Sequence, residues 1–482
     1  MHTSRYSYYR FVISTTGTLV SLSGAVSEIQ GLSTTYLGGV CYYVSRTGTG
    51  YFTVVSIATQ DTGISIIGAF HISQTSRVNL GLSVKPSGIL SIFVGNHILG
   101  GIIDALGNII TQANSDNPSN RWIIESPAVG IISRRTVSES LSTGLIAIDS
   151  IVPIGLGQRE LVVGDRQTGK SSISVDCMLN QKYGSLLSVY TSIGQKSSGL
   201  LNLYLTLSKR ESIGTASLLS ASASTSSVSI YLSPYSASSL CEYFMITGES
   251  NVYISYDDLS KQAMSYRELY LLLKRPPGRE AYPGEIFFVH SRLLERSAKL
   301  NYSVGGGSIS SFPIVETLSQ DVSSYITTNV ISITDGQIFL STDLFLSGIK
   351  PALDVGLSVT RVGSSAQWYG MKLVSGSYKL VLAQFAELQA FSQFTSDVQD
   401  ETKQRLAQGN LLVSLLKQPV GNPISEIVAL YLLSASNSEY FTLMCKPNTI
   451  STIKLKVSSL PNWLFLYSPS RLSLQCLSQS TM

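Results

Sequence analysis

The chain has 482 residues, enough for about three domains of ordinary size, and no run of about 18 uninterrupted apolar residues that would cross a membrane. Charged residues make up 13% of it against a usual share of about 25%, so a surface this short of charge points to extensive cover by partners. The formal net charge of +4, with no lysine or arginine run, gives no argument for nucleic acid as that partner. Five dispersed cysteines (Cys41, Cys177, Cys241, Cys445 and Cys476) without a C-x-x-C imply reduced thiols and a non-secreted protein, and four separated histidines argue against a His-based metal site.

The first 27 residues carry Arg5 and Arg10 but no acid, a faint likeness to a transit sequence. Strand-like sequence from Thr16 favours a mature start, with residues 1–15 as a short N-terminal segment. From 16 to 87 the chain is rich in Ser, Thr, Gly, Val and Ile, with alternation in Leu19-Val20-Ser21-Leu22 and Phe52-Thr53-Val54 and a glycine every eight or so residues. That pattern predicts a small N-terminal β-barrel. From 88 to 367 apolar strands are followed by longer helical segments, as in a parallel α/β sheet. The Ser-rich patch Ser220 to Ser229 reads as a loop with a neighbouring strand inside that domain. After 367 strands fade, and Leu382, Phe385, Leu388 and Phe391 recur every three residues, which predicts a helical domain over 368–482. The tail after Lys446 has little periodicity.

The richest motif is Gly164-Asp165-Arg166-Gln167-Thr168-Gly169-Lys170-Ser171, a complete G-x-x-x-x-G-K-[ST]. A short buried strand, Leu161-Val162-Val163, precedes it, and Ser172 to Leu179 can run as a helix. That context predicts a phosphate-binding loop whose backbone N–H groups and helix N-terminus converge on a nucleoside triphosphate. Lys170 would reach the β and γ phosphates, and Ser171 would offer its hydroxyl to Mg²⁺. The matching acid is Asp257, at the end of the strand-like run Val252 to Tyr256, where a parallel sheet places its ligand crevice. Asp257 would act on the metal through water, and Asp258 would cap the next helix.

With these residues in view, the chain resembles the alpha-subunit family of F-type rotary ATP synthases. The likeness is carried by Ile151 to Ser172, by Tyr256-Asp257-Asp258-Leu259-Ser260-Lys261-Gln262-Ala263, and by Arg275-Pro276-Pro277-Gly278-Arg279-Glu280. His290 to Arg296, Thr328 to Gln337 and Gly356 to Gly363 complete it, all between about Gly88 and Gln418. The resemblance implies a β-barrel, a RecA-like α/β P-loop domain and a C-terminal helical domain. It also implies a nucleotide site that holds ATP (or ADP) with Mg²⁺ without turnover. Gln195 stands where catalytic relatives carry a glutamate, and an amide has no basic pKa in the working range.

By the same resemblance Arg361 is an arginine finger given in trans to a neighbouring catalytic site. The implied nucleotide contacts are Asp165, Arg166, Gln167, Thr168, Gly169, Lys170, Ser171, Ser172 and Gln195, with Phe345, Lys350, Pro351 and Gln418 near the base. Lys350 replaces an arginine common in the family, and Val420 takes the place of a second glutamine. The implied partners are beta subunits in a 3:3 ring, a central stalk gamma subunit and a peripheral stalk subunit. Membrane contact would come only through that complex, and no nucleic acid is involved. The setting read from the charge-poor, fast-drifting sequence is the matrix side of the mitochondrial inner membrane, with a bacterial or plastid membrane as alternative. Only about 15 residues precede the barrel, so the family's N-terminal grip on the peripheral stalk is rebuilt or handed to another chain. A catalytic rotary ATPase subunit and a Rho-like nucleic-acid-translocating ring motor remain as alternative functions. Gln195 weighs against the first, and the scarcity of lysine and arginine in the barrel against the second.

Overall fold

The Ser/Thr/Val-rich N-terminal stretch folds into six strands: β1 (Gly17–Ser23), β2 (Val26–Gln30), β3 (Gly39–Ser45), β4 (Gly48–Thr59), β5 (Ser65–His71) and β6 (Ser83–Ile89). They close as a barrel in the order β1-β2-β5-β4-β3-β6, with Gly17 of β1 paired to Val84 of β6. Alternation sends Leu19, Ile29, Cys41, Phe52, Val54 and Ile67 inward to fill the barrel. Gly50 is required there, because a Cβ would strike the Tyr43 ring that lies over it. This computed structural model describes residues 16–436 apart from 33, 46–47, 60–64, 73–77, 112–119, 184–185, 249 and 393–399. Residues 1–15 with Arg5 and Arg10, and everything after 436 with Cys445 and Cys476, lie outside the described residues.

The central domain is built on eight strands: β7 (Ile102–Asp104), β8 (Leu161–Asp165), β9 (Leu187–Gln195), β10 (Ala216–Ser222), β11 (Asn251–Asp257), β12 (Ser308–Thr317), β13 (Gly336–Leu340) and β14 (Val359–Thr360). Their order is β14-β13-β8-β12-β11-β9-β10-β7, parallel throughout except for β14, which runs antiparallel to β13. Both faces are covered, which is why the strands read as nearly unbroken apolar runs. Leu161 and Val163 pack in one layer with the helices Ser227–Thr247, Leu259–Leu272 and Ile286–Leu294. Val162 packs in the other, with the helix Lys170–Asn180 and the C-terminal helices. The Ser-rich patch ends β10 and starts a helix, which Ser226 caps by accepting the Ser229 N–H (3.2 Å).

Barrel and sheet share one core, since Phe70 and Ile72 of the barrel side pack in the Leu161 layer. The helical domain comprises Tyr369–Ser375, Tyr378–Ser392, Asp400–Leu416 and Glu426–Ser436 among the described residues. Leu382 and Phe385 are buried as the three-residue recurrence predicts, Leu388 is half-buried, and the side chain of Phe391 lies outside the described residues. The barrel, parallel α/β domain and helical domain thus stand in the expected order.

Candidate functional site

The phosphate loop leaves the C-terminal end of β8, where Gln167 (φ 67°) and Gly169 (φ 93°) take left-handed backbone and turn the chain into the helix Lys170–Asn180. Lys170 is curled back over the loop, its Nζ donating to the carbonyls of Gly164 (2.8 Å) and Asp165 (2.6 Å). It lies 4.0 Å from Glu316 Oε1. Burial lowers its pKa, while Glu316, Asp258, Asp257 and Asp165 oppose that by favouring the charge. Thr168 Oγ1 donates to the Asp165 carbonyl (2.8 Å) and pins the loop from within.

The Asp165 carboxylate is turned to the strand ends, away from the cleft. It accepts from Thr317 Oγ1 (2.7 Å), the Gln320 N–H (2.9 Å) and Thr342 Oγ1 (3.1 Å). Against a burial penalty, those donors and the Lys170 charge hold its pKa below the usual carboxylate value. Asp165 therefore braces the loop, and only its carbonyl takes part in the loop's inner bonding.

Ser171 Oγ donates to Asp257 Oδ2 (3.1 Å), and the Tyr190 hydroxyl donates to the same oxygen. A hydroxyl and a carboxylate meeting at the loop suit a hydrated divalent ion, which keeps several waters and takes few protein ligands. Among the described residues no group of three or more His, Cys, Asp or Glu could cage a metal by itself. Asp258 caps the helix Leu259–Leu272, accepting the Ser260 N–H (3.1 Å). Burial raises its pKa to about 6, with the Glu316 charge adding to the rise.

These parts open on a cleft of about 450 Å³. Arg166, Gln167, Thr168, Gly169, Lys170, Ser171 and Ser172 form its phosphate wall, with Gln195 and Asp257 at the sheet edge. Phe345, Lys350, Pro351 and Gln418 also line it, with the apolar Leu145, Ala352 and Val420, and the Phe345 ring lies against the loop at Gly169. Lys350 Nζ sits 4.8 Å from the Phe345 ring centre, a cation over an aromatic face. The Gln418 amide is bonded to the protein at both ends: its Nε2 donates to Gly144 O (2.8 Å) and Asn422 O (2.7 Å), and its Oε1 accepts from Ile146 N–H (3.2 Å). It shapes this wall of the cleft by holding two turns together.

Three lining or supporting residues escaped the sequence reading. Glu316 reaches the cleft because β12 lies beside β8, with Gly164 paired to Glu316. Asp176, one helical turn beyond Ser172, lines the cleft and accepts the Gly421 N–H (2.7 Å), and burial raises its pKa to about 6. Tyr190 is the third. A helical i, i+4 step from Ser172 could have flagged Asp176, but the strand neighbours are separated too far along the chain to be read from it.

Arg361 is not in this cleft. It follows β14, whose Thr360 pairs with Gly336 at the start of β13, whereas Gly164 pairs with Leu340 at the other end. The length of β13, about 13 Å of strand, separates the two levels. The Arg361 N–H donates to Asp335 O (2.9 Å), and its exposed side chain makes no hydrogen bond or ion pair among the described residues. Its mount is ionic. Arg159 donates to Asp335 through Nε (3.0 Å) and an Nη (2.9 Å) and to Glu295 (2.6 Å), and Arg134 meets Glu295 at 3.1 Å. Gln158 Nε2 bridges Glu160 (2.8 Å) and Thr360 (2.9 Å).

A strand, phosphate loop and helix inside a mostly parallel sheet, with an acid on a nearby strand end, define a P-loop nucleotide-binding domain. Residues 144–360 match the nucleotide-binding domain of the ATP synthase alpha/beta family, and residues 367–459 match the C-terminal domain of the ATP synthase alpha/beta chain. Together these cover well over half of the chain, which belongs to the ATP synthase alpha/beta family. It is a nucleotide-binding subunit of the rotary ATPase type. Among the described residues no helix is long and apolar enough to cross a membrane.

Proposed function

We propose that this chain is the non-catalytic, alpha-type subunit of the proton-driven ATP synthase, holding Mg-ATP in its own cleft and lending Arg361 to a neighbour's. The observation that carries the reading is the placement of Arg361, whose side chain is exposed, without a hydrogen bond or ion pair among the described residues, and at the opposite end of β13 from the phosphate loop. A guanidinium there is too far from its own γ-phosphate position to neutralise charge on it, and is free to do so across an interface. Gln195 at the cleft supports the same division, since an amide orients water without taking its proton.

In this reading three copies alternate with three beta subunits around a central stalk gamma subunit, and a peripheral stalk subunit restrains the ring. Ser171 and Asp257 hold the Mg²⁺ side, with Asp257 acting through water. The charge-poor composition favours the matrix side of the mitochondrial inner membrane over a bacterial or plastid membrane. A catalytic role has one observation in its favour: Glu316 puts a carboxylate in the cleft 4.0 Å from Lys170. At that distance the two share no hydrogen bond, and the carboxylate sits beside the lysine as charge balance.

Native mass spectrometry of the complex isolated with this chain tests the proposal. Three copies with three beta-type chains and retained Mg-ATP are expected. A homohexamer, or a complex with no beta-type partner, would overturn it.

A further inference from the structure

The corner where Ser171, Asp257 and Tyr190 meet carries more than a ligand set. Asp257 is buried and lines the cleft, yet both of its protein side-chain donors, Ser171 Oγ (3.1 Å) and the Tyr190 hydroxyl, bond to the same oxygen, Oδ2. Oδ1 receives no hydrogen bond among the described residues. The two donors differ in kind. Ser171 stands on the cleft wall, where a cation draws on its lone pair, whereas Tyr190 is 5% exposed and its ring is locked in the core layer with Val162, Tyr253, Phe312 and Ile314. The strand register explains the reach: Ser192 of β9 faces Asp257, so Tyr190, two residues earlier, stands on the same face of the sheet one pleat below it.

We propose that Tyr190 is a positioning residue for the metal. It fixes the Asp257 carboxylate through Oδ2 and leaves Oδ1 as the acceptor for a water of the bound Mg²⁺. Ser171 alone cannot do this, because its oxygen has a second duty to the cation and its side chain is free to turn at the cleft wall. A phenol buried on a strand has two ring torsions, both held by packing, and so keeps its oxygen in one place beside Oδ2 whether or not the metal is bound. The divalent cation therefore meets a carboxylate whose rotation has been settled beforehand.

The inference rests on reading the cleft as a Mg-nucleotide site, and the experiment separates the two. Tyr190→Phe is made in the full chain and assembled into its complex, and retained ATP is measured as free Mg²⁺ is varied and again in excess chelator. Loss of one hydrogen bond to a charged group is expected to raise the half-saturating Mg²⁺ about tenfold, with metal-free retention unchanged. Substituting Mn²⁺ for Mg²⁺ should give a broadened, altered spin-resonance signal in the variant. A merely structural role would instead lower retention in parallel with and without metal, and that result, or an unchanged Mg²⁺ requirement, would overturn the proposal. If the Phe variant does not assemble, Tyr190→Leu, which also lacks the hydroxyl, must show the same Mg²⁺ shift. Lys170→Ala is the companion: if it too leaves ATP retention untouched, the cleft reading itself fails, and if it abolishes retention while Tyr190→Phe shifts nothing, only this inference does.

Discussion

The two ends of β13 are built differently. At the C-terminal end of the parallel strands the phosphate loop is held by short hydrogen bonds to neutral partners: Lys170 on main-chain carbonyls, Thr168 on the Asp165 carbonyl, and the Asp165 carboxylate on hydroxyls and an amide. At the opposite end the mount of Arg361 is a chain of charges, Arg134–Glu295–Arg159–Asp335, partly open to solvent. A binding loop must present unspent N–H groups to an incoming anion, so its anchors use carbonyls and hydroxyls and leave the positive potential free. A group delivered to another subunit needs a stiff base and an unpaired tip, and charge-assisted bonds from a planar guanidinium supply the stiffness. In the proposed reading, holding a nucleotide and supplying catalytic charge are separate tasks, placed about one strand length apart.

The largest effect that would break this comparison is at the tip. Arg361→Lys in the assembled complex should lower steady-state turnover by roughly 10³-fold or more while leaving the nucleotide retained by this chain unchanged. Near-normal turnover would remove Arg361 from the chemistry.

Next comes the body that both ends share. Burial pushes His290 down to about 4 from 6.5, the Leu259 backbone opposing only in part. The folded state thus binds fewer protons than the unfolded one between those values, so stability is lost as pH falls from 6.5 toward 4. The loss amounts to roughly 3 kcal/mol at the acid end. His290→Leu should flatten that part of the acid limb in denaturant titrations, with neither end's function altered at neutral pH.

At the cleft, Lys170→Ala should weaken Mg-ATP binding about 10- to 100-fold, the worth of a charge-assisted contact to phosphate, measured by equilibrium dialysis. The smallest effect is expected at the mount. Arg159→Ala leaves Asp335 without its guanidinium partner and Glu295 with Arg134 alone, and should lower unfolding free energy by about 1–2 kcal/mol, less at high salt because the partners are partly exposed. A change in Lys170 that altered the salt dependence, or one in Arg159 that weakened nucleotide binding, would blur the distinction between the ends.

Much of the fold was legible because its signals are local. Alternation and evenly spaced glycines marked the barrel, unbroken apolar strands marked a sheet covered on both faces, and Gly164 to Ser171 marked the loop. The site was legible where function rides on a motif, and less so where it depends on which strands become neighbours. Glu316 enters the cleft through pairing of β8 with β12, and Tyr190 reaches Asp257 through pairing of β9 with β11, 67 residues away along the chain. Gln418 shows the converse limit. Its place on the cleft wall could be read by resemblance, but the use of its amide on Gly144, Ile146 and Asn422 depends on turns brought together only by the fold.

The central claim is that this cleft holds ATP through turnover while Arg361 works elsewhere. The assembled complex can be loaded with ATP labelled at the γ-phosphate, freed of excess nucleotide, and then driven through many turnovers with unlabelled ATP. The account predicts that label on this chain remains bound as ATP throughout in the parent complex. Release of labelled phosphate from this chain at the turnover rate would contradict it.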